Sequence, residues 1–226
     1  MFPLAELLDN NPVFSCLDAA IREQLVEQAI RKEYDKGETI TFRGDVWPNL
    51  FVIGKGIVTA LKESSEGRSL VVASFEPGEL FWGLAFFYEE MTMPVTLVAQ
   101  TPVSLYLWPR DRVLPILVQN GRSSWELCRL MVGRMQHASE ILEEMAFQPL
   151  TGRVARLLLE NFPADQGTAT RHLTLDEMAA RVGTTREMVC RILYRFAEEG
   201  AIQINRTEFI FTDRKLLEEC IRRAVK

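Results

Sequence analysis

The chain has 226 residues, 47% hydrophobic and 25% charged, with a formal net charge of −5; this is globular composition, with apolar material for one large or two small cores. No apolar run approaches the roughly 20 residues of a membrane-spanning helix, and Met1–Glu6 lacks the basic-then-apolar order of a secretory leader, so a cytoplasmic chain is expected. The four cysteines, Cys16, Cys128, Cys190 and Cys220, are too dispersed for a CxxC metal or redox pair and read as reduced, small buried residues.

Residues 1–33 are expected to be helical. Ile21, Leu25, Val26 and Ala29 recur at helical spacing behind Asp18, a residue type that caps helix N-termini. From Tyr34 the pattern changes. Short apolar runs at 39–42, 50–53, 57–61, 70–73 and 103–107 alternate with Lys36-Gly37-Glu38, Arg43-Gly44-Asp45, Gly54-Lys55-Gly56, Ser65-Glu66-Gly67 and Pro77-Gly78-Glu79. Many short strands with regular turn signals predict a sandwich or jelly-roll barrel.

From about Arg110 the chain reads as helix again. Ser123–Phe147 has no internal proline, and Leu127, Met131, Arg134, Ala138, Ile141 and Met145 follow alternating steps of four and three. That is the heptad spacing of a coiled coil. Leu130, Met135 and Leu142 widen the apolar face. The expected use is a dimer seam; the alternative is a helix packed on its own domain. Pro149 marks a break and suits the first turn of the next helix, which Leu150–Phe162 supplies, and Pro163–Thr170 reads as a polar loop.

The two halves differ in sign. Residues 149–226 hold 13 Lys/Arg and 11 Asp/Glu, a net of +2, whereas residues 1–148 hold 13 and 20, a net of −7. Such a split is expected where only the second half meets phosphate.

The most informative stretch is 174–193, two helices separated by a tight turn at Gly183. Thr174 with Glu177 predicts a capping box at the first helix, and Thr184 with Glu187 a second one. In the second helix Met188 or Val189, with Ile192, Leu193 and Phe196, can pack inward, leaving Thr185, Arg186, Glu187, Arg191 and Arg195 polar. Side chains near the N-terminus of a recognition helix point at base edges. An Arg can donate two hydrogen bonds to guanine O6 and N7, and a Glu can accept from cytosine N4. Thr184 and Thr185 are placed for phosphates. A β-hairpin follows, Ile202–Ile204 and Phe209–Phe211, with Arg206 at its tip as a further phosphate contact. An enzyme built on such a barrel would assemble a metal from several histidines, but no His precedes residue 137. A stand-alone ligand-binding module would have no need of the Arg186/Glu187/Arg191 face.

With these motifs in place the chain closely resembles the Crp/Fnr family of bacterial regulators. The resemblance runs through Gly37-Glu38, Gly44-Asp45, Phe51-Val52-Ile53 with Gly56, Pro77-Gly78-Glu79, Thr151-Gly152-Arg153-Val154 and Gly183…Arg186-Glu187…Arg191-Ile192-Leu193. It implies an α+β chain: a cyclic-nucleotide-binding-type β-roll (1–120), a long dimerisation helix (121–147) and a winged helix-turn-helix (148–226). It also implies a homodimer on double-stranded DNA, contact with RNA polymerase, and no catalysis. The Arg-Glu-x-x-x-Arg pattern of the family's catabolite-activator members implies a half-site near TGTGA in an inverted repeat.

The effector region departs from those members. Their pocket carries Gly-Glu and, about ten residues on, Arg-Ser; here Gly83 precedes Leu84, and the second pair falls near Met93-Pro94. A buried phosphate without a cation is costly, so cAMP is not expected to bind in the usual way. The family's iron–sulfur sensors cluster cysteines near the N-terminus, where only Cys16 stands, so a cluster is not expected either. Three readings of the pocket stay open. One is a weakly polar ligand near Trp82, Leu84, Met91, Met93, His137 and Ser139. Another is haem on His137, which is not favoured. The third is no effector. Pro149 replaces the acidic cap found at the hinge of the catabolite-activator members.

Overall fold

The computed structural model describes residues 3–65, 68–162, 168–170 and 172–222. The chain forms two compact units, one from the stretches ending at Lys62 and spanning Val72–Gln136, the other from Glu63–Val71 and from His137 onward.

In the first unit three short helices, α1 (Leu4–Asn10), α2 (Pro12–Ser15) and α3 (Ala19–Gln28), precede the strands. The expected helix ends early: β1 (Ile30–Tyr34) starts where Ala29 turns to extended backbone, and its backbone pairs antiparallel with residues 103–107 instead of continuing the 3.6 repeat. Strands β2 (Thr39–Thr41), β3 (Asn49–Lys55), β4 (Val58–Glu63), β5 (Ser69–Phe75), β6 (Leu80–Trp82), β7 (Thr96–Ala99) and β8 (Val103–Pro109) complete the set. They form two four-stranded sheets, β1-β8-β3-β6 and β2-β7-β4-β5.

Strands β3 and β8 read as continuous apolar runs because both of their faces are buried. One face, with Phe51, Ile53, Leu105 and Leu107, packs with Val58, Ala60, Leu97 and Ala99 of the other sheet. The opposite face, with Leu50, Val52 and Trp108, packs on Leu8, Phe14 and Leu25 of the N-terminal helices. Trp108 is fully buried, and its Nε1 donates to the Leu25 carbonyl at 2.8 Å. This satisfies the one polar atom the indole brings inside. Gly56 turns with φ 82°, and a Cβ there would lie 2.3 Å from the Pro102 carbonyl oxygen, so only glycine fits.

Helix α4 (Arg110–Gln119) leads to α5 (Gly121–Phe147), a 27-residue helix. Asn120 separates them, its side chain accepting from Ser123 N at 3.0 Å. In the second unit α6 (Leu150–Asn161) follows Pro149, which stands as the N-cap with ψ 147° rather than inside the first turn. Thr168–Thr170, expected as loop, is strand β9, paired with β11 (Glu208–Phe211), which also pairs β10 (Ile202–Ile204). Residues 163–167 lie outside the described residues. Helices α7 (Leu175–Val182), α8 (Arg186–Glu198) and α9 (Arg214–Arg222) complete the unit around Val154, Leu158, Phe162, Met178, Val189, Phe196, Phe209 and Leu217. Among the described residues no helix is long and apolar enough to cross a membrane.

Candidate nucleic-acid interface

The interface is built from α7, the turn after it and α8. Thr174 caps α7 reciprocally: its Oγ1 accepts from Glu177 N at 3.2 Å, and Glu177 Oε2 accepts from Thr174 N at 2.7 Å. Met178, Ala179 and Val182 turn inward. Gly183 then adopts φ 66°, ψ 46°, a left-handed conformation that glycine takes without strain. Three residues, 183–185, separate the two helices.

Thr185, not Thr184, caps α8. Its side chain accepts from Met188 N at 3.4 Å, and the Thr184 N–H goes back to the Ala179 carbonyl at 3.0 Å. The expected second capping box does not form: Gly183 ends α7 with Thr184 still tied to it, and the cap passes to Thr185, whose third residue on, Met188, has no carboxylate or amide to complete a box. Val189, Ile192, Leu193 and Phe196 are the buried positions, which decides between Met188 and Val189 in favour of Val189.

The opposite side of α8 is open. Arg186, Glu187, Arg191, Tyr194 and Arg195 are exposed, with Thr184 and Thr185 half-buried at the approach. Arg186 Nη1 lies 3.5 Å from Asp176 Oδ2 of α7, and Arg195 Nε lies 3.2 Å from Glu199 Oε1. The Glu187 carboxyl is held below its usual range by its own backbone N–H and the Thr185 hydroxyl, with Arg186 adding to this. Arg206 is exposed in the β10–β11 turn, which Asn205 N closes by donating to the Glu208 carbonyl at 2.9 Å. So the expected base readers share one helix face, and Arg206 stands on the hairpin of the same unit. Tyr194, 62% exposed, was not legible: an aromatic in an amphipathic helix reads as core, and only the observed rotation of α8 turns it outward.

The long helix requires a correction. Leu127 is buried in the core of the first unit. Arg134 lays its guanidinium over Phe75, Phe81 and Trp82, 4.7–5.4 Å from the ring centres, and donates to the Leu80 carbonyl. Burial pushes its pKa down to about 10, against the pull of Glu79. Met131, Ile141 and Met145 are half-buried, and of the expected seam only Met135, Ala138 and Leu142 are exposed. The open stripe of α5 is instead Trp125, Cys128, Val132, Met135, Ser139 and Leu142, again in alternating threes and fours. Both registers fit a heptad; an Arg at an apolar position was the one hint that the first of them turns onto the chain itself at Leu127 and Arg134. Cys128 is exposed and the other three thiols are half-buried, Cys220 against the core of the second unit, so none is the fully buried residue expected.

The expected effector residues are scattered. Trp82 stacks on Phe81 and meets Phe87 edge-on. Leu84 is half-buried in a 3-10 turn, while Met91 is exposed and Met93 fills the core between the sheets. Gly83 passes so close to the Trp47 carbonyl that a Cβ would overlap it at 1.8 Å. His137 and Ser139 are exposed on the second unit's part of α5, with His137 Nδ1 3.7 Å from Glu140 Oε2. Among the described residues no cluster of three or more His, Cys, Asp and Glu could hold a metal ion.

Comparison with known proteins matches residues 31–120 to the cyclic nucleotide-binding domain and residues 152–220 to the Crp-like helix-turn-helix domain. The cAMP-activated global transcriptional regulator Vfr of Pseudomonas aeruginosa is 29% identical over 205 residues, covering 85% of this chain and 94% of that protein. A CRP-like cAMP-activated global transcriptional regulator of Mycobacterium tuberculosis is 26% identical over 219 residues, covering 94% and 97%. The c-di-GMP responsive global regulator CLP of Xanthomonas campestris shares the fold, with a TM-score of 0.74 at 23% identity over 86% of this chain and 99% of that one. The α+β architecture, the two matched domains and the open helix-turn-helix face agree: the chain belongs to the Crp/Fnr family of DNA-binding transcription regulators, which are not enzymes.

Proposed function

We propose that the chain is a homodimeric regulator that reads an inverted repeat near TGTGA-N6-TCACA and does so without the family's usual cAMP contacts. The observation that carries this reading is the α8 face. Val189, Ile192 and Phe196 are buried behind it, so Arg186, Glu187 and Arg191 stand on a rigid support with their polar ends outward. Arg186 and Arg191 would each give a guanine two donors, and Glu187 would accept from a cytosine amino group, each good contact contributing about 1–3 kcal/mol of discrimination. Thr184, Thr185 and Arg206 would hold phosphates and set the register.

A second copy is the occupant proposed for the open stripe of α5. Trp125, Val132, Met135 and Leu142 are 58–71% exposed, a row of large apolar groups that a parallel partner helix would cover. The proposed organisation is a β-roll at 1–120, a dimer helix at 121–147 and a DNA-binding domain at 148–226. A cytoplasmic location and contact with RNA polymerase go with that role.

The effector is a separate question, since relatives answer to different nucleotides. Against cAMP stand Leu84 and Met93 where the family's carboxylate and guanidinium would be, Met93 being 2% exposed in the core. A ligand entering among Phe75, Phe81 and Trp82 would have to pair with Arg134 or displace it.

The test is a titration of the untreated protein against the TGTGA-N6-TCACA duplex and a scrambled duplex, repeated with Arg186→Ala and with cAMP. Specific binding without additive, lost in the variant, supports the reading. Binding that requires cAMP would overturn the effector assignment, and equal affinity for both duplexes would overturn the DNA-reading assignment.

A further inference from the structure

We infer that Asp176 is a specificity-determining residue of the DNA-reading face, positioning Arg186 for a base edge and opposing its use on bare phosphate. The inference rests on the proposed role of Arg186. Asp176 is the second residue of α7 and Arg186 the first of α8, brought together across the Gly183 turn with Nη1 and Oδ2 3.5 Å apart. The side chains are 72% and 60% exposed, so the pair adds little to stability. What it sets is direction.

A guanidinium carries five N–H donors in a planar fork. One carboxylate oxygen at one terminal nitrogen leaves donors for guanine O6 and N7, which take two. The carboxylate and a guanine can therefore be held together, with Asp176 fixing the plane of the fork. A phosphate can take the same two donors, but unlike a guanine edge it brings a full negative charge. Its attraction to Arg186 is offset by the carboxylate at that arginine's side.

Glu187 strengthens this asymmetry. Its carboxylate is held by its own backbone N–H and the Thr185 hydroxyl, so one carboxylate from α7 and one from the first turn of α8 act on one guanidinium. Arg191 and Arg195 lie one and two turns farther along, and Arg206 lies on the hairpin. The start of α8 around Arg186 is thus net acidic, while Arg195 and Arg206, the cations left for phosphate, stand away from it. Sequence-independent binding scales with the phosphates neutralised; an acidic tip lowers it without removing the base contacts.

The experiment measures fluorescence anisotropy of the full chain with the TGTGA-N6-TCACA and scrambled duplexes at two salt concentrations. The variants are Asp176→Asn, Asp176→Glu, Glu199→Gln and Arg186→Ala. Asp176→Asn is expected to tighten the scrambled duplex and to lower the specific-to-scrambled affinity ratio by about 3–10-fold. Asp176→Glu should keep the wild-type ratio within about two-fold. Glu199→Gln removes one charge from the Arg195 pair on the same helix and should shift both duplexes alike, leaving the ratio unchanged. An Asp176→Asn ratio equal to wild type, or a change matched by Glu199→Gln, overturns the inference. If Arg186→Ala leaves the ratio intact, the reading of Arg186 falls as well. If Arg186→Ala collapses the ratio while Asp176→Asn does not, only the role of Asp176 falls.

Discussion

Met135→Asp should dissociate the proposed dimer. Met135 is 68% exposed in the single chain, with Val132 and Ser139 one turn to either side along the open stripe of α5. Fully burying a Met side chain is worth about 1.5–3 kcal/mol, so the part still exposed would contribute roughly 1–2 kcal/mol on pairing. An isologous interface changes both copies at once, which doubles the loss to roughly 2–4 kcal/mol. At about 1.4 kcal/mol per decade this is a ~30–1000-fold rise in the dimer dissociation constant, before any cost of desolvating two carboxylates. Sedimentation velocity across a dilution series measures it. Val118→Asp on α4, at an apolar residue 70% exposed but off the stripe, should leave the constant unchanged. An unaltered constant for Met135→Asp, an equal effect of Val118→Asp, or a wild-type chain that sediments as a monomer at micromolar concentration would refute the reasoning.

Gly183→Ala should cost about 1–2 kcal/mol, the penalty of a left-handed conformation for a residue with a Cβ, because that Cβ also meets Met145 Sδ at 3.0 Å and Leu70 Cδ1 at 3.2 Å. All four tryptophans (47, 82, 108 and 125) belong to the first unit, so urea titrations followed by far-UV circular dichroism should record the loss and tryptophan emission should not. Arg134→Ala should destabilise the first unit by about 2 kcal/mol, the order of a desolvated cation–π contact, and should shift the emission of Trp82, whose ring it covers at 4.7 Å. The depressed pKa of Glu187 makes a stabilising contribution that is complete above its ordinary value near 4.5 and is lost as pH falls through the lower folded value. Glu187→Gln should therefore lower the urea midpoint slightly at neutral pH and converge on the wild type in acid, flattening the acid limb.

How much of this was legible in the sequence depended on how local the signal was. Thr174 with Glu177, the turn at Gly183 and the apolar set of α8 act within a few residues, and each formed as read. Strands β3 and β8 were legible because both faces are apolar, but β1, whose residues are mostly exposed, carries no such run and was read as helix. Strand β6 lay hidden in the apolar stretch around Phe81-Trp82, where period alone does not separate strand from helix. The long helix was legible as an element, but not in orientation. Leu127–Met145 and Trp125–Leu142 both satisfy a heptad, and what separates them is the recess of Phe75, Phe81 and Trp82 that receives Arg134, residues more than 50 positions away in the chain. Thr185 displaced Thr184 as cap for a related reason: the hydrogen bond from Thr184 N back to Ala179 is set by the turn, not by residue type.

Assembly and reading are one problem in this architecture. On the proposed reading a single α8 face presents three base readers, Arg186, Glu187 and Arg191, enough for a half-site of about five base pairs. A five-base word recurs by chance roughly once per thousand positions, far too often against the ~10⁶–10⁹ competing sites of a genome. A two-fold seam squares that discrimination, and it also dictates that the DNA site be an inverted repeat with half-sites about one turn, roughly 34 Å, apart. Met135→Asp should thus cut sequence preference on the full repeat to about the square root of the wild-type ratio while leaving every proposed DNA-reading side chain in place. The monomer should bind with about half the salt dependence of the dimer, since half the phosphates are neutralised. The converse follows for Arg186→Ala, which should abolish preference while the dimer constant stays at its wild-type value. If instead the monomeric variant retains the full preference of the dimer, the stripe on α5 serves some end other than pairing the two reading faces.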